Sequence, residues 1–305
     1  MKPIWRRFRP QKNAQNTITP PRVYPSRDDV SGKESVYSRA HAVIDQQGIG
    51  RGRLWRHHDA HAFDGMIDSL RARAGSSGDS ADWLAALVLQ APRAVDAQRS
   101  MDKHPGGFHN REARLFELID FNDTYVSTVL ALDEADYATF NDEAKRLMDR
   151  FCKHVNVPCL TNEQWQAITH GLSREISVYR GALRLGYQAR MTSRREDAMG
   201  VDMVVTDDEG HSINLDIKTR SSFHFRLIDL HREGRVSELE REEAEKFGHI
   251  TVVNGHGSSA VTTTLLRIDE ETYGRIIDFA LERQEPLRTS IDQIFRSYAS
   301  CYHEL

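Results

Sequence analysis

Apolar side chains recur at three- and four-residue spacing through the first half of the chain. This is the period of an amphipathic helix. From Ala60 to Arg73 they are Phe63, Met66, Ile67 and Leu70, and Gly75-Ser76-Ser77-Gly78 then interrupts the pattern. Asp79 or Ser80 is placed to cap a following helix over Ala81 to Gln90. Asp133 to Val155 reads as another helix, with Leu147, Met148 and Phe151 on one side. From Val157 the texture changes. A long helix is predicted from Asn162 to Leu185, with a stripe at Trp165, Ile168, Leu172, Tyr179 and Leu183. Short segments rich in branched residues follow, and the order is helix, strand, strand, strand, helix, strand. That order predicts an α/β fold, a mixed sheet flanked by helices, preceded by a mostly helical region. Ser237-Glu-Leu-Glu240 matches a capping box opening a helix to about Phe247. Ile250 to Val253 reads as a buried strand and Thr262 to Ile268 as another, with a helix from Asp269 or Glu270 through Leu281.

These changes divide the chain into residues 1–35, 36–156 and 157–305. Residues 1–33 hold eight Lys or Arg, among them Arg6, Arg7 and Arg9, against two Asp, and five of the nine prolines. Such a stretch buries little apolar surface and reads as an extended, disordered arm. It is either an electrostatic hold on nucleic-acid phosphates or a solvated tail. Residues 36–156 contain no internal repeat and no motif of known chemistry. Over all 305 residues the formal net charge is −4, so composition does not announce a nucleic-acid binder. The three cysteines form no CxxC pair, which argues against a disulfide framework or a structural zinc site. No apolar run approaches the roughly 20 residues of a membrane span, and the basic N-terminus lacks the apolar core of a secretory signal. The expected location is cytoplasmic.

The chemistry concentrates in Gly200 to Lys218. Two alternating runs flank a turn, and a three-residue Asp208-Glu209-Gly210 loop places Gly where a left-handed residue is wanted. In the second run Ile213, Leu215 and Ile217 share one face, while Asn214, Asp216 and Lys218 share the other. If the hairpin is symmetric about Glu209, Asp202 lies across from Asp216, with Cβ atoms roughly 5 Å apart. Facing carboxylates in a partly buried sheet repel and are costly to desolvate. A divalent cation removes that cost, and oxygen ligands suit Mg²⁺ or, alternatively, Mn²⁺. Lys218 beside them is placed to orient a water or to steady charge on a phosphate. Glu175 sits at the edge of the apolar stripe of the preceding helix, where an ionised carboxylate needs a partner.

Glu175, then Val201-Asp202, then Asp216-Ile217-Lys218 resemble the pattern of the PD-(D/E)XK nuclease superfamily. This superfamily includes restriction endonucleases, Holliday-junction resolvases and recombination exonucleases. The resemblance covers about residues 161–268. It implies a restriction-endonuclease-like sheet and metal-dependent hydrolysis of phosphodiester bonds in DNA, with Asp202 and Asp216 as metal ligands. The Ile217 carbonyl would be a further ligand, Glu175 a ligand directly or through water, and Lys218 a support for the water nucleophile. The chain departs from the pattern at the Pro position, which is Val201, and lacks the Gln-containing helix motif that one branch carries after the Lys.

Arg220 follows the strand end, and Arg190, Arg194 and Arg195 precede Asp202. Such residues position a phosphate backbone and do not read bases. Glu196 and Asp197 are alternative carboxylates for the metal site. His57, His58 and His61 offer an i, i+4 pair for zinc but lack a third ligand, so an exposed helix start is the simpler reading. The expected activity is that of a Mg²⁺-dependent deoxyribonuclease, an endonuclease, with DNA as partner. A homodimer or a protein partner recruited by the helical region remains open. The alternatives are a catalytically silent binding module and an interaction protein acting through its helical region.

Overall fold

A computed structural model describes residues 34–54, 59–103, 111–137, 139–192, 196–197, 199–254, 260–269 and 284–302. The expected arm with Arg6, Arg7 and Arg9 lies outside the described residues. So do Arg194, Arg195, His57, His58 and the helix expected after Asp269.

The chain is mixed α/β, with a helical N-terminal region followed by a five-stranded mixed sheet and interspersed helices. The helical region comprises α1 (Val36–Gln46), α2 (Asp64–Ser77), α3 (Ser80–Lys103), α4 (Arg111–Leu130), α5 (Glu134–Tyr137) and α6 (Phe140–Val155). Helix α3 is central and packs on α1, α2, α4 and α6. Its run from Leu84 to Leu89 is buried on every side, as a helix apolar all round must be. It continues well past the expected end at Gln90, through Pro92. Proline costs a helix one backbone bond, but burial of Ala91, Ala94 and Val95 holds the segment helical. Helix α2 begins after Phe63, runs through Ser77 and ends on Gly78 at φ 72°, so the Gly-Ser run terminates the helix at its last residue only. The segment expected as one helix over Asp133–Val155 is broken into α5 and α6. The expected face of Leu147, Met148 and Phe151 is buried.

Helix α7 (Asn162–Arg184) opens with a capping box formed by Thr161 and Gln164. It belongs to two cores. Trp165, Leu172 and Ile176 pack with the helical region, and Val178 and Ala182 pack on the sheet. The buried face therefore rotates along the helix, and the expected stripe holds only in part. Leu183 is 44% exposed, while Ile176, Val178 and Ala182 take the inward positions.

The sheet order is β1-β2-β3-β5-β4. Strands β1 (Gln188–Met191), β2 (Met203–Thr206) and β3 (Ser212–Thr219) form an antiparallel meander. Strand β5 (Val261–Ile268) runs parallel to β3, and β4 (His249–Asn254) closes the edge antiparallel to β5. Between β3 and β4 lie α8 (Arg220–Arg232) and α9 (Glu238–Phe247), and α10 (Gln284–Tyr302) follows the sheet. One sheet face carries Met203, Val205, Ile213, Leu215 and Ile217. It is covered by α7 and by Leu287, Ile291 and Ile294 of α10. On the other face Val252 and Leu265 are covered by Phe223, Leu227 and Leu230 of α8. The α9 capping box is formed by Ser237 and Glu240, as its sequence predicts. Helix α8 was not expected, although Thr219 caps it and Phe223, Leu227 and Leu230 have helical spacing. The expectation of a fully buried strand at Ile250–Val253 is corrected. As the edge strand, β4 buries Val252 and leaves Val253 54% exposed. Among the described residues, no helix is long and apolar enough to cross a membrane.

Candidate active site

The β2–β3 hairpin has the register expected of it. Met203 pairs with Leu215 and Thr206 with Ser212, which set Glu209 at the centre of the turn. Asp207 and His211 close the loop through an N–H to carbonyl bond of 3.0 Å, and Gly210 takes φ +85°. The pairing ends at Met203 and Leu215, and Asp202 departs there from the register that would have set it directly opposite Asp216. The Asp202 N–H donates to the Leu215 carbonyl at 2.8 Å, and Asp202 Oδ2 accepts from the Ile217 N–H at 2.6 Å. Strand alternation sends Asp216 and Lys218 to the face opposite the Ile213, Leu215 and Ile217 core. There Lys218 Nζ donates to Asp216 Oδ1. Asp216 is 5% exposed, and its carboxylate tolerates that burial because Lys218 is its partner. The turn into β2 brings the backbone close to this pair. A Cβ on Gly200, which holds φ +80°, would stand 3.9 Å from Asp216 Oδ2.

Glu175 lies one turn before Val178, the first α7 residue to pack on the sheet. It therefore reaches the sheet end where Asp202, Asp216 and Lys218 converge. Burial, and then the negative charges of Asp197 and Asp216, push the Glu175 carboxyl up to about 7, against the pull of Lys218. Burial and then Glu175 hold Asp202 well above the usual carboxylate range. Asp197 is also raised, mainly by burial. Burial alone would lower Lys218, but attraction to Asp202, Asp216 and Glu175 outweighs it and raises the ammonium. Four carboxylates thus share one half-buried cation.

No known protein family, curated protein or solved structure gives a significant match to this chain.

Hard, oxygen-rich donors with surplus negative charge are the chemistry of a divalent-cation site, and Asp202, Asp216 and Glu175 would hold such an ion. Among the described residues, however, no three acidic, imidazole or thiol side chains are drawn together as a formed ligand shell. The reason is local. Asp216 is turned onto Lys218, and Asp202 is turned onto the Ile217 N–H. Ile217 itself is placed beside both carboxylates by its backbone, while its side chain packs in the core. The donor types suit such an ion, while their present hydrogen bonds engage Asp216 and Asp202 elsewhere.

The remaining sequence candidates divide. Asp197 joins the cluster, whereas Glu196 is bound by Arg190 at 2.6 and 3.0 Å, which commits both to each other. Arg220 is exposed at the first turn of α8, directly after β3. His224 pairs with Glu245 at 2.5 Å. His61 lies between Asp64 at 2.9 Å and Glu117 at 3.2 Å, and the histidines expected to join it, His57 and His58, lie outside the described residues. The helical region contributes what the motif cannot show. A cleft of about 350 Å³ has Glu175, Asp197 and Asp202 on one side, and Arg71 of α2 with Asn122, Asp123 and Ser127 of α4 on the other.

Proposed function

We propose that this protein is a metal-dependent nuclease of the restriction-endonuclease-like type, hydrolysing phosphodiester bonds in DNA with Mg²⁺ or Mn²⁺ as cofactor. The observation that supports it most is the meeting of Glu175 of α7, Asp202 just before β2, and Asp216 and Lys218 of β3, at one end of the hairpin beside a cleft. Chance surface charges would be solvated and scattered. Here Asp216 is buried and Glu175, Asp202 and Lys218 are half-buried, at an energetic cost that bound cation and substrate would offset. The ion, when bound, supplies Lewis acidity and lowers the pKa of water. Asp202 and Asp216 would hold it. Lys218, released from Asp216, would steady the attacking water or the charge growing on the phosphate. In the reaction a water oxygen bonds to phosphorus as a P–O ester bond breaks, leaving a phosphate monoester and a hydroxyl end. Arg220, exposed beyond the strand end, would position the backbone.

The Asp216–Lys218 ion pair favours a second reading, a nuclease-like module that binds DNA without cutting it. Incubation with circular and linear DNA, single-stranded as well as duplex, and Mg²⁺ or Mn²⁺ separates the two, comparing wild type with Asp216→Ala and Lys218→Ala. Metal-dependent cutting lost in both variants supports the enzyme, and conversion of the circle identifies an endonuclease. DNA binding with no cutting under any metal supports the silent module. Cutting that survives both substitutions rejects this site.

A further inference from the structure

The wall opposite the carboxylates is built by the helical region, and it has its own chemistry. On α4, residues 122, 126 and 130 with 123 and 127 share one face, as their spacing requires. Of these, Asn122 and Ser127 bring hydrogen-bonding groups and Val126 and Leu130 bring apolar surface to the cleft. Arg71, from α2, is the one cation among the described residues lining it, and has no carboxylate partner among the described residues.

We propose that this cleft receives one nucleotide of a single DNA strand, with its phosphate held between Arg71 and the carboxylate end. The substrate is then a single strand, a flap or a frayed end, and not an intact duplex. This rests on the nuclease reading above. Three observations favour it. The first is size. A cleft of about 350 Å³ lies at the small end of ligand pockets and encloses a group of one-nucleotide scale. A duplex brings a second backbone across a groove of about 6 or 12 Å, more than a cleft of one-nucleotide scale encloses. The second is charge. Asp123, Glu175, Asp197 and Asp202 repel a phosphate from most of the lining, so among the described lining residues the guanidinium of Arg71 is the one point that attracts it. The third is the mixed lining. Leu130 is 37% exposed there, an apolar rest for an unpaired base or sugar, with Asn122 and Ser127 within the same face to meet polar edges.

The test reads binding apart from catalysis. Fluorescence anisotropy in EDTA and in Ca²⁺ compares a labelled single strand with a blunt duplex of equal length, using wild type, Arg71→Ala and Arg71→Lys. A melting curve of each variant checks that it folds. The single strand is expected to bind about 10-fold or more tighter than the duplex. Arg71→Ala should weaken strand binding by about 10-fold with duplex binding unchanged, and Arg71→Lys should recover part of the loss. Equal affinity for strand and duplex, or strand affinity untouched by Arg71→Ala, overturns the proposal. If wild type also cuts intact duplex circles in Mg²⁺ with no preference for single strands, the nuclease reading survives and this inference alone fails. If neither form of DNA is bound or cut, both fail together.

Discussion

Glu175 carries a cost that can be measured. Its folded carboxyl titrates at about 7 against an ordinary 4.5. The folded state therefore holds a proton more firmly than the unfolded chain. Stability conferred by that proton is fully present below 4.5 and is lost as pH rises through the folded value. At about 1.4 kcal/mol per pH unit, the interval sets a ceiling of about 3 kcal/mol on what the ionised group costs at alkaline pH. Solvent still reaches this half-buried side chain, so about 1–2 kcal/mol is the expected size. Glu175→Gln removes the charge and keeps the shape. Without metal it should melt roughly 3–6 °C above wild type at pH 8 and together with wild type at pH 5. Thermal denaturation in EDTA across that range is the assay. A gain that is equal at both pH values would mean that the benefit is not electrostatic. No gain at pH 8 would mean that Glu175 is adequately solvated or paired, and the argument for a strained carboxylate cluster would fall.

Addition of Mg²⁺ should raise the melting temperature of the wild type. Ten-fold excess over the dissociation constant is worth about 1.4 kcal/mol, and the shift should vanish in Asp202→Asn and Asp216→Asn when followed by differential scanning fluorimetry. Lys218→Met should abolish cleavage while keeping, or enlarging, the metal-induced shift, because the carboxylates then lack their one shared cation; a gel assay beside the melting curves decides. Gly210→Ala should cost about 1–2 kcal/mol in urea denaturation, since the turn holds this residue at φ +85°.

The hairpin was the most legible element because two independent local rules agree there. A left-handed Gly fixes the turn, and strand alternation then fixes the register, so the pairing from Met203 with Leu215 to Thr206 with Ser212 follows from residues within one short segment, while the departure of Asp202 from it does not. The capping box at Ser237 was legible for the same reason. Long-range partners were not. Nothing near Arg71 or Ser127 in the sequence says that α2 and α4 face the carboxylates, because that contact joins segments far apart along the chain. The α7 stripe misled at Leu183 because a helix shared by two cores buries different faces at its two ends. Strand β4 misled because branched residues are equally at home on an edge. Helix α8 had a readable signal, Thr219 followed by Phe223, Leu227 and Leu230, masked by the basic and polar residues between them.

The double allegiance of α7 also bears on what can be inherited or transplanted as a unit. A gene fragment beginning at residue 157 would encode the whole sheet and all four motif residues, yet it would leave Trp165, Leu172 and Ile176 without the neighbours that bury them. Recombination that swapped the helical region for another module would have to supply a replacement surface for those same side chains, in register with the turn that carries Glu175. In this chain the helical region and the motif-bearing sheet are thus joined through one helix, and a substitution on the shared face has to fit both.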